Sequence, residues 1–252
     1  MFNSELEISY NTSAVNNATF QPDGPPVSIP LYIKYRVDIP NYFLRPPFLF
    51  LKKWFVFGRL IIPSQKIISS IINPPDWAII YITPSPCYIS VNNEFNEAIA
   101  ILTIAVHMGA PAEAYVLKMK FEAPQLGRIR GKDAGLNIIF APAWVPLLSI
   151  DVSQSYIRTP PNETTTTTIN ITNLGNAMCL VTGYITEING WSIYLEFAQL
   201  WLLIGQTESN TLYLKPPENF QGIQEINITF TQLRLPGEFG PSVPIIIHAY
   251  FP

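Results

Sequence analysis

The sequence predicts an all-β chain of two tandem antiparallel β-sandwich domains, and three observations predict it. Apolar and polar residues alternate at period two along most of the chain, and a period near 3.6 hardly occurs. Breaks rich in Pro and Gly interrupt that alternation at intervals of roughly 8–14 residues, the spacing of short strands in sandwiches or barrels. A pattern around Trp77 also returns around Trp191.

Each strand segment rests on its own alternation. In residues 28–38 (SIPLYIKYRVD), Leu31, Ile33, Tyr35 and Val37 share one face. Further segments in the first half are 54–62, 77–82, 98–107, 114–121 and 136–140. In the second half they are 148–153, 165–172, 179–186, 191–195, 199–204, 210–215, 224–231 and 243–249. Turn signals separate them: PDGPP at 22–26, RPP at 45–47, NPPD at 73–76, TPSP at 83–86, TPPN at 159–162, KPPEN at 215–219 and LPGEFGP at 235–241. The short apolar run in Met1–Tyr10 (LEISY) is expected to be an arm that reaches a neighbouring molecule.

The repeat sets the domain count. NPPDWAIIYI, from Asn73, matches EINGWSIYLE, from Glu187, and in both copies a strand, a Pro/Gly loop and a last strand follow. The offset between the two tryptophans is about the length of one immunoglobulin-like sandwich, roughly 100 residues. Two domains are therefore expected, 1–146 and 147–252, each immunoglobulin-like or a jelly roll. The first carries an aromatic-rich insertion at about 39–70. Trp77 and Trp191 are expected to be equivalent buried anchors.

Composition narrows the function. Hydrophobic residues make up 48% and charged residues 13%, about half the charge of an ordinary soluble domain, roughly 25%. Such a surface suits a protein packed against neighbours or one carrying sugars. Net charge is −3, too small to point to nucleic acid. Residues 1–148 hold 12 Lys/Arg against 10 Asp/Glu (+2), and residues 149–252 hold 3 against 8 (−5), a difference that would suit head-to-tail contact. The opening MFNSELEISYN has no basic start or apolar stretch of a secretory signal, and no apolar run reaches the roughly 20 residues of a transmembrane helix. A mature form, an excised ectodomain and a protein assembled inside the cell all fit.

No constellation for catalysis, metal or cofactor binding is legible. His107 and His248 fall in different halves, and Cys87 with Cys179 gives no metal-ligand spacing. The basic loop GRIRGKDAG (Gly127–Gly135) lies between strands rather than ahead of a helix, which argues against a phosphate cradle. Five sequons mark candidate N-glycosylation sites at Asn11, Asn17, Asn162, Asn170 and Asn227. Asn170 and Asn227 alternate with isoleucines and are expected to face outward. The run NYFLRPPFLFLKKWFVF (Asn41–Phe57) reads either as a buried hairpin or as an exposed interface loop. In the second case Phe43, Phe48, Phe50 and Trp54 are the candidate interface residues.

Ser149–Ala177 (SIDVSQSYIRTPPNETTTTTINITNLGNA) resembles the opening of immunoglobulin-like domains common in archaeal secreted proteins. There a first strand, a polar turn, a Thr-rich strand and an Asn-x-Gly turn follow one another. Here these would be Ile150–Ser153, Pro160–Glu163, Thr164–Thr172 and Asn173–Gly175, and Trp191 resembles the Trp of a later Gly-Trp strand. The first half departs from this pattern. The Ile-, Tyr- and Pro-rich, charge-poor style is also similar to turret or spike β-sandwich proteins of crenarchaeal icosahedral viruses, with no motif behind the likeness.

The reading that follows is a non-enzymatic structural protein without cofactors. It would be a building block of a virion or of an archaeal cell-surface assembly, with partners among copies of itself, other structural subunits and glycans. A carbohydrate- or receptor-binding module is the alternative.

Overall fold

The computed structural model describes residues 1–40 and 64–252. The chain divides into two compact units, Met1–Ala143 and Trp144–Pro252. The expected strand at 54–62, most of the insertion and the candidate interface residues Phe43, Phe48, Phe50 and Trp54 lie outside the described residues.

In unit 1, β1 (Ser4–Tyr10) pairs antiparallel with β2 (Val27–Val37), from Ser4 opposite Val37 to Tyr10 opposite Leu31. Met1–Tyr10 is therefore no arm. Its alternating Leu6, Ile8 and Tyr10 pack on this unit's own core, which corrects the sequence expectation. A five-residue helix α1 (Thr12–Asn16) follows, capped by the Asn11 side chain, which accepts the Ser13 N–H at 3.0 Å. The remaining strands are β3 (Gln65–Ile72), β4 (Ala78–Thr83), β5 (Cys87–Ile89), β6 (Asn96–Val106), β7 (Tyr115–Ala123) and β8 (Lys132–Phe140). They form two four-stranded sheets, β1-β2-β6-β4 and β5-β3-β7-β8. Alternate residues of both sheets fill the space between them. Leu31, Ile33 and Tyr35 of β2, Leu102 of β6 and Met119 with Phe121 of β7 are almost fully buried. Pro30 is tolerated in β2 because β1 ends opposite Leu31, so no β1 bond is lost there.

Unit 2 contains β9 (Leu148–Val152), β10 (Tyr156–Arg158), β11 (Thr165–Asn173), β12 (Cys179–Ile185), β13 (Ser192–Leu195), β14 (Gln199–Leu202), β15 (Thr207–Lys215), β16 (Gly222–Arg234) and β17 (Glu238–Phe251). Its sheets are β9-β11-β15-β13 and β10-β17-β16-β12-β14. The core is built from Ile169, Ile171, Leu212, Ile226, Ile228 and Phe230 with their neighbours. The Asn-x-Gly segment forms a tight corner. Buried Asn173 donates through Nδ2 to the carbonyls of Ala177 (2.8 Å) and Leu202 (3.2 Å), and its Oδ1 accepts the Gly175 N–H.

The two units share one topology. Strands β1 to β8 correspond in order to β9, β11, β12, β13, β14, β15, β16 and β17, with the same neighbours in the same sheets. The first sheet has the A-B-E-D order of an immunoglobulin-like sandwich and the second the C-F-G order, with one added strand beside C. Among the described residues the strand pairings are antiparallel except β10 with β17, where the chain after β9 passes to the other sheet. At the corresponding place unit 1 has the parallel bridge Phe20 to Pro142. Trp77 precedes β4 as Trp191 precedes β13, and each meets an aromatic ring edge-on at, or just before, the start of the unit's next-to-last strand. These are Tyr115 at 5.4 Å and Phe220 at 4.7 Å. Both indoles are half-buried rather than buried, because each closes one end of its sandwich instead of filling the middle.

Four elements were not legible in the sequence: α1, β3, β5 and β10. The segment expected as a break at 235–241 is in part the start of β17, which runs on through Pro241 and Pro244. Only Tyr156–Arg158 of β10 pairs with β17, at His248–Tyr250. Both prolines therefore sit on a sheet edge, where a missing N–H breaks no ladder.

Candidate functional site

The sequon asparagines occupy different environments. Asn11 caps α1, Asn17 ends it, and both are exposed. Asn162 is exposed at positive φ (60°) in the turn closed by the Glu163 N–H to the Pro160 carbonyl. Asn227 is exposed between buried Ile226 and Ile228. Asn170 lies on the outer face of β11 but is half-buried, its Oδ1 accepting the Ser209 hydroxyl at 2.8 Å.

The groups that could carry chemistry are scattered. His107 is exposed at the end of β6 in unit 1. His248 stacks on Tyr156 in unit 2 (4.5 Å between ring centres) and lies 4.0 Å from Glu225. Among the described residues no three His, Cys, Asp or Glu side chains cluster as metal ligands would. Cys87 and Cys179 are free, buried, and one in each unit. Burial pushes both thiols up, away from the thiolate a nucleophile needs. The loop after β7 is a tight turn pinned to the N-terminus: the Phe2 N–H donates to the Arg128 carbonyl and the Arg130 N–H to the Phe2 carbonyl. The depression under the loop Thr186–Trp191 is lined by Ile185–Ile193 and offers one titratable side chain, Glu187.

The outer faces of the sheets are what distinguish the molecule. On unit 1's first sheet, Ile79 and Tyr81 of β4 and Ile99 and Ile101 of β6 are each about half exposed. The strand register places Thr83 opposite Ile101 and Ile101 opposite Pro30, and it places Ile99 opposite Tyr32. The face is thus uncharged, with Ser28, Thr83 and Thr103 among its apolar residues, as far as the ion pairs Lys34–Glu97 (3.7 Å) and Arg36–Glu5 (2.6 Å). Unit 1's second sheet mixes charge with exposed Tyr88, Val116 and Ile139. Lys120 lies between Glu122 and Asp133, whose hydrogen bonds hold its pKa above the ordinary lysine value.

Unit 2 presents a different chemistry. Its first sheet shows Thr166, Thr168, Ser209 and Thr211 beside Tyr194 and Tyr213, whose rings stack at 4.8 Å. On its second sheet one row crosses four strands, with Trp201 opposite Leu180, Leu180 opposite Leu233 and Leu233 opposite Phe239. Trp201 is 49% and Phe239 74% exposed. The next row is hydroxyl and amide, with Gln199, Thr182, Thr231 and Ser242 in register, and Tyr184 stands beyond it.

None of these surface residues was picked out in the sequence. A strand such as Asn96–Val106 is apolar on both faces, so alternation alone cannot say which face is outside. The usable signal was local: uncharged strand segments in a chain already poor in charge.

No protein-family model matches the chain, and no curated protein matches it. Among solved structures, it is similar to the D00-D0 domain of intimin over 98% of this chain and 100% of that one, with 9% identity and a TM-score of 0.38. It is similar to a protein of unknown function from Porphyromonas gingivalis W83 over 98% and 99%, with 11% identity and a TM-score of 0.33. It is also similar to domains 4 and 5 of the S-layer protein SbsC over 59% and 69%, with 11% identity and a TM-score of 0.29. Likeness at this level does not bear on function, and the fold assignment rests on the strand pairings themselves.

Proposed function

We propose that this chain is a non-enzymatic structural protein that works by association. It would be a building block of a virion, of capsid or turret type, or of an archaeal extracellular surface assembly. The observation that carries the reading is the uncharged outer face of unit 1's first sheet, on which Ile79, Tyr81, Ile99 and Ile101 are each half-exposed. An uncharged face with this many exposed apolar side chains costs solubility on a free domain and supports a protein contact. Low total charge points the same way, because little on the surface keeps copies apart. The partners are copies of the chain or other structural subunits. Sugars on the exposed sequons, Asn227 above all, would shield the surfaces left outside the contacts. Cryo-microscopy of native material tests the reading. Ordered particles, sheets or filaments containing the chain are expected, whereas a dispersed chain that turns over a glycan or peptide would sink it.

A second reading, a carbohydrate- or receptor-binding module, is favoured by one observation. Trp201 and Tyr184 flank the Gln199–Thr182–Thr231 row on the outer face of unit 2. Exposed aromatic faces beside hydroxyls and amides fit the apolar and polar faces of a sugar ring. Binding on a glycan panel that disappears with Trp201→Ala would establish it.

A further inference from the structure

We infer that β4 is a pairing edge, along which unit 1 joins a second copy of this chain antiparallel about a two-fold axis through Ile80. The inference rests on the association reading above and adds the partner and the register.

Most other edges of the described sheets are protected. β5 and β10 have three residues, and β13 and β14 have four. β1 carries Glu5 and Glu7, β8 carries Lys132 and Asp133, and β9 carries Asp151. The free part of β17 holds Glu238, Pro241 and Pro244. Short length, charge and proline are the ordinary devices that keep edges from pairing with other chains. β4 has none of them. Ala78–Thr83 (AIIYIT) is six residues long and pairs on one side with β6, and among the described residues no strand lies on its other side.

The backbone phase limits the registers open to β4, and centring on Ile80 brings all of its edge-facing residues opposite those of the copy. The His107 N–H donates to the Trp77 carbonyl at 2.9 Å, which makes Trp77 and His107 a hydrogen-bonded pair of the β4–β6 ladder. Such pairs recur every second residue. The groups of Ile79, Tyr81 and Thr83 thus turn toward β6, and those of Ala78, Ile80 and Ile82 turn toward the open edge. In agreement, the Ala78 N–H donates to the Pro75 carbonyl rather than to β6. Residues opposite each other in an antiparallel pair share a face. A two-fold axis at Ile80 therefore sets Ile80 opposite Ile80 of the copy, as a hydrogen-bonded pair. It sets Ile79 opposite Tyr81 twice, on the outer face, and Ala78 opposite Ile82 on the inner face. β-branched against aromatic is a favourable cross-strand pair. The contact is isologous and closes with two copies. One strand edge covers less than the roughly 1,200 Å² of a standard interface, so the pair forms in proportion to concentration.

Cysteine pairing reads this register directly. Ile79 and Tyr81 of the copy would form a non-hydrogen-bonded pair, with Cα atoms about 4.5 Å apart, within disulfide reach. The native Cys87 and Cys179 are buried and do not compete. Mixing full-length Ile79→Cys and Tyr81→Cys chains under mild oxidation is expected to give a covalent dimer of one chain of each kind. Either chain alone should give several-fold less. Ile79→Lys with Tyr81→Lys should lose the dimer while keeping the wild-type β-sheet circular dichroism. Stronger cross-linking of either single-cysteine chain to itself overturns the register. Self-association that survives both lysines and yields no mixed disulfide overturns the edge while leaving association intact. A monomer at every concentration overturns both.

Discussion

Unit 1 and unit 2 thread corresponding strands through the same two sheets and differ on the outside. Inside, both rely on alternating Ile, Leu, Val and Phe, and both close one end with a half-buried tryptophan against an aromatic ring. Outside, unit 1's first sheet carries isoleucines on β6, whereas unit 2's carries Ser209 and Thr211 on β15 and threonines on β11. The edges differ as well. Proline guards β17 in unit 2, and β4 of unit 1 has no such guard. The inward positions are constrained by packing and are chemically similar in the two copies. The outward positions are free of that constraint, and they are where the two units differ in chemistry.

Paired substitutions test how alike the two units are, and those in the cores should cost most. Phe121→Ala in unit 1 and Phe230→Ala in unit 2 each remove a buried ring and should each cost about 3–5 kcal/mol. Urea unfolding followed by peptide-level hydrogen exchange should assign each loss to its own unit. Asn173→Ala strips three hydrogen bonds from a buried corner and should cost about 3 kcal/mol, in unit 2 alone. Trp77→Ala and Trp191→Ala should cost about 2 kcal/mol each, less than a fully buried tryptophan because both are half-buried. Unequal losses would break the equivalence of the two ends. The smallest pair is a contrast between glycines. A Cβ at Gly183 would stand 2.5 Å from Leu195 Cδ1 and 3.0 Å from the Phe230 ring, whereas one at Gly135 meets only the Met119 carbonyl at 3.9 Å. Thermal melts should show Gly183→Ala losing about 1 kcal/mol and Gly135→Ala gaining about 0.5 kcal/mol.

The sequence carried the long strands and little of what joins them. β2 and β6 were legible because their inward positions are apolar nearly throughout, and β11 and β16 because Ile169 and Ile171, and Ile226, Ile228 and Phe230, alternate with polar residues. β3 was not, because two of its inward positions are Gln65 and Ser69, which hide the period. β5 and β10 are three residues long, too short for any period to show. α1 could have been found from Asn11-Thr12-Ser13, where the sequon asparagine is also a helix cap. The outer faces were hidden for a different reason. An apolar residue on a strand reads as core until the register shows which side it is on, so Ile99 and Ile101 read like Ala100 and Leu102.

The claim that the outer faces work by contact is tested most directly by sedimentation velocity of the full chain over a wide concentration range. The account predicts a mass that rises above the 28.4 kDa of one chain as concentration increases, and that falls back to it when Ile79 and Tyr81 are both changed to lysine. A single species of 28.4 kDa at every concentration, unchanged by those lysines, would contradict it.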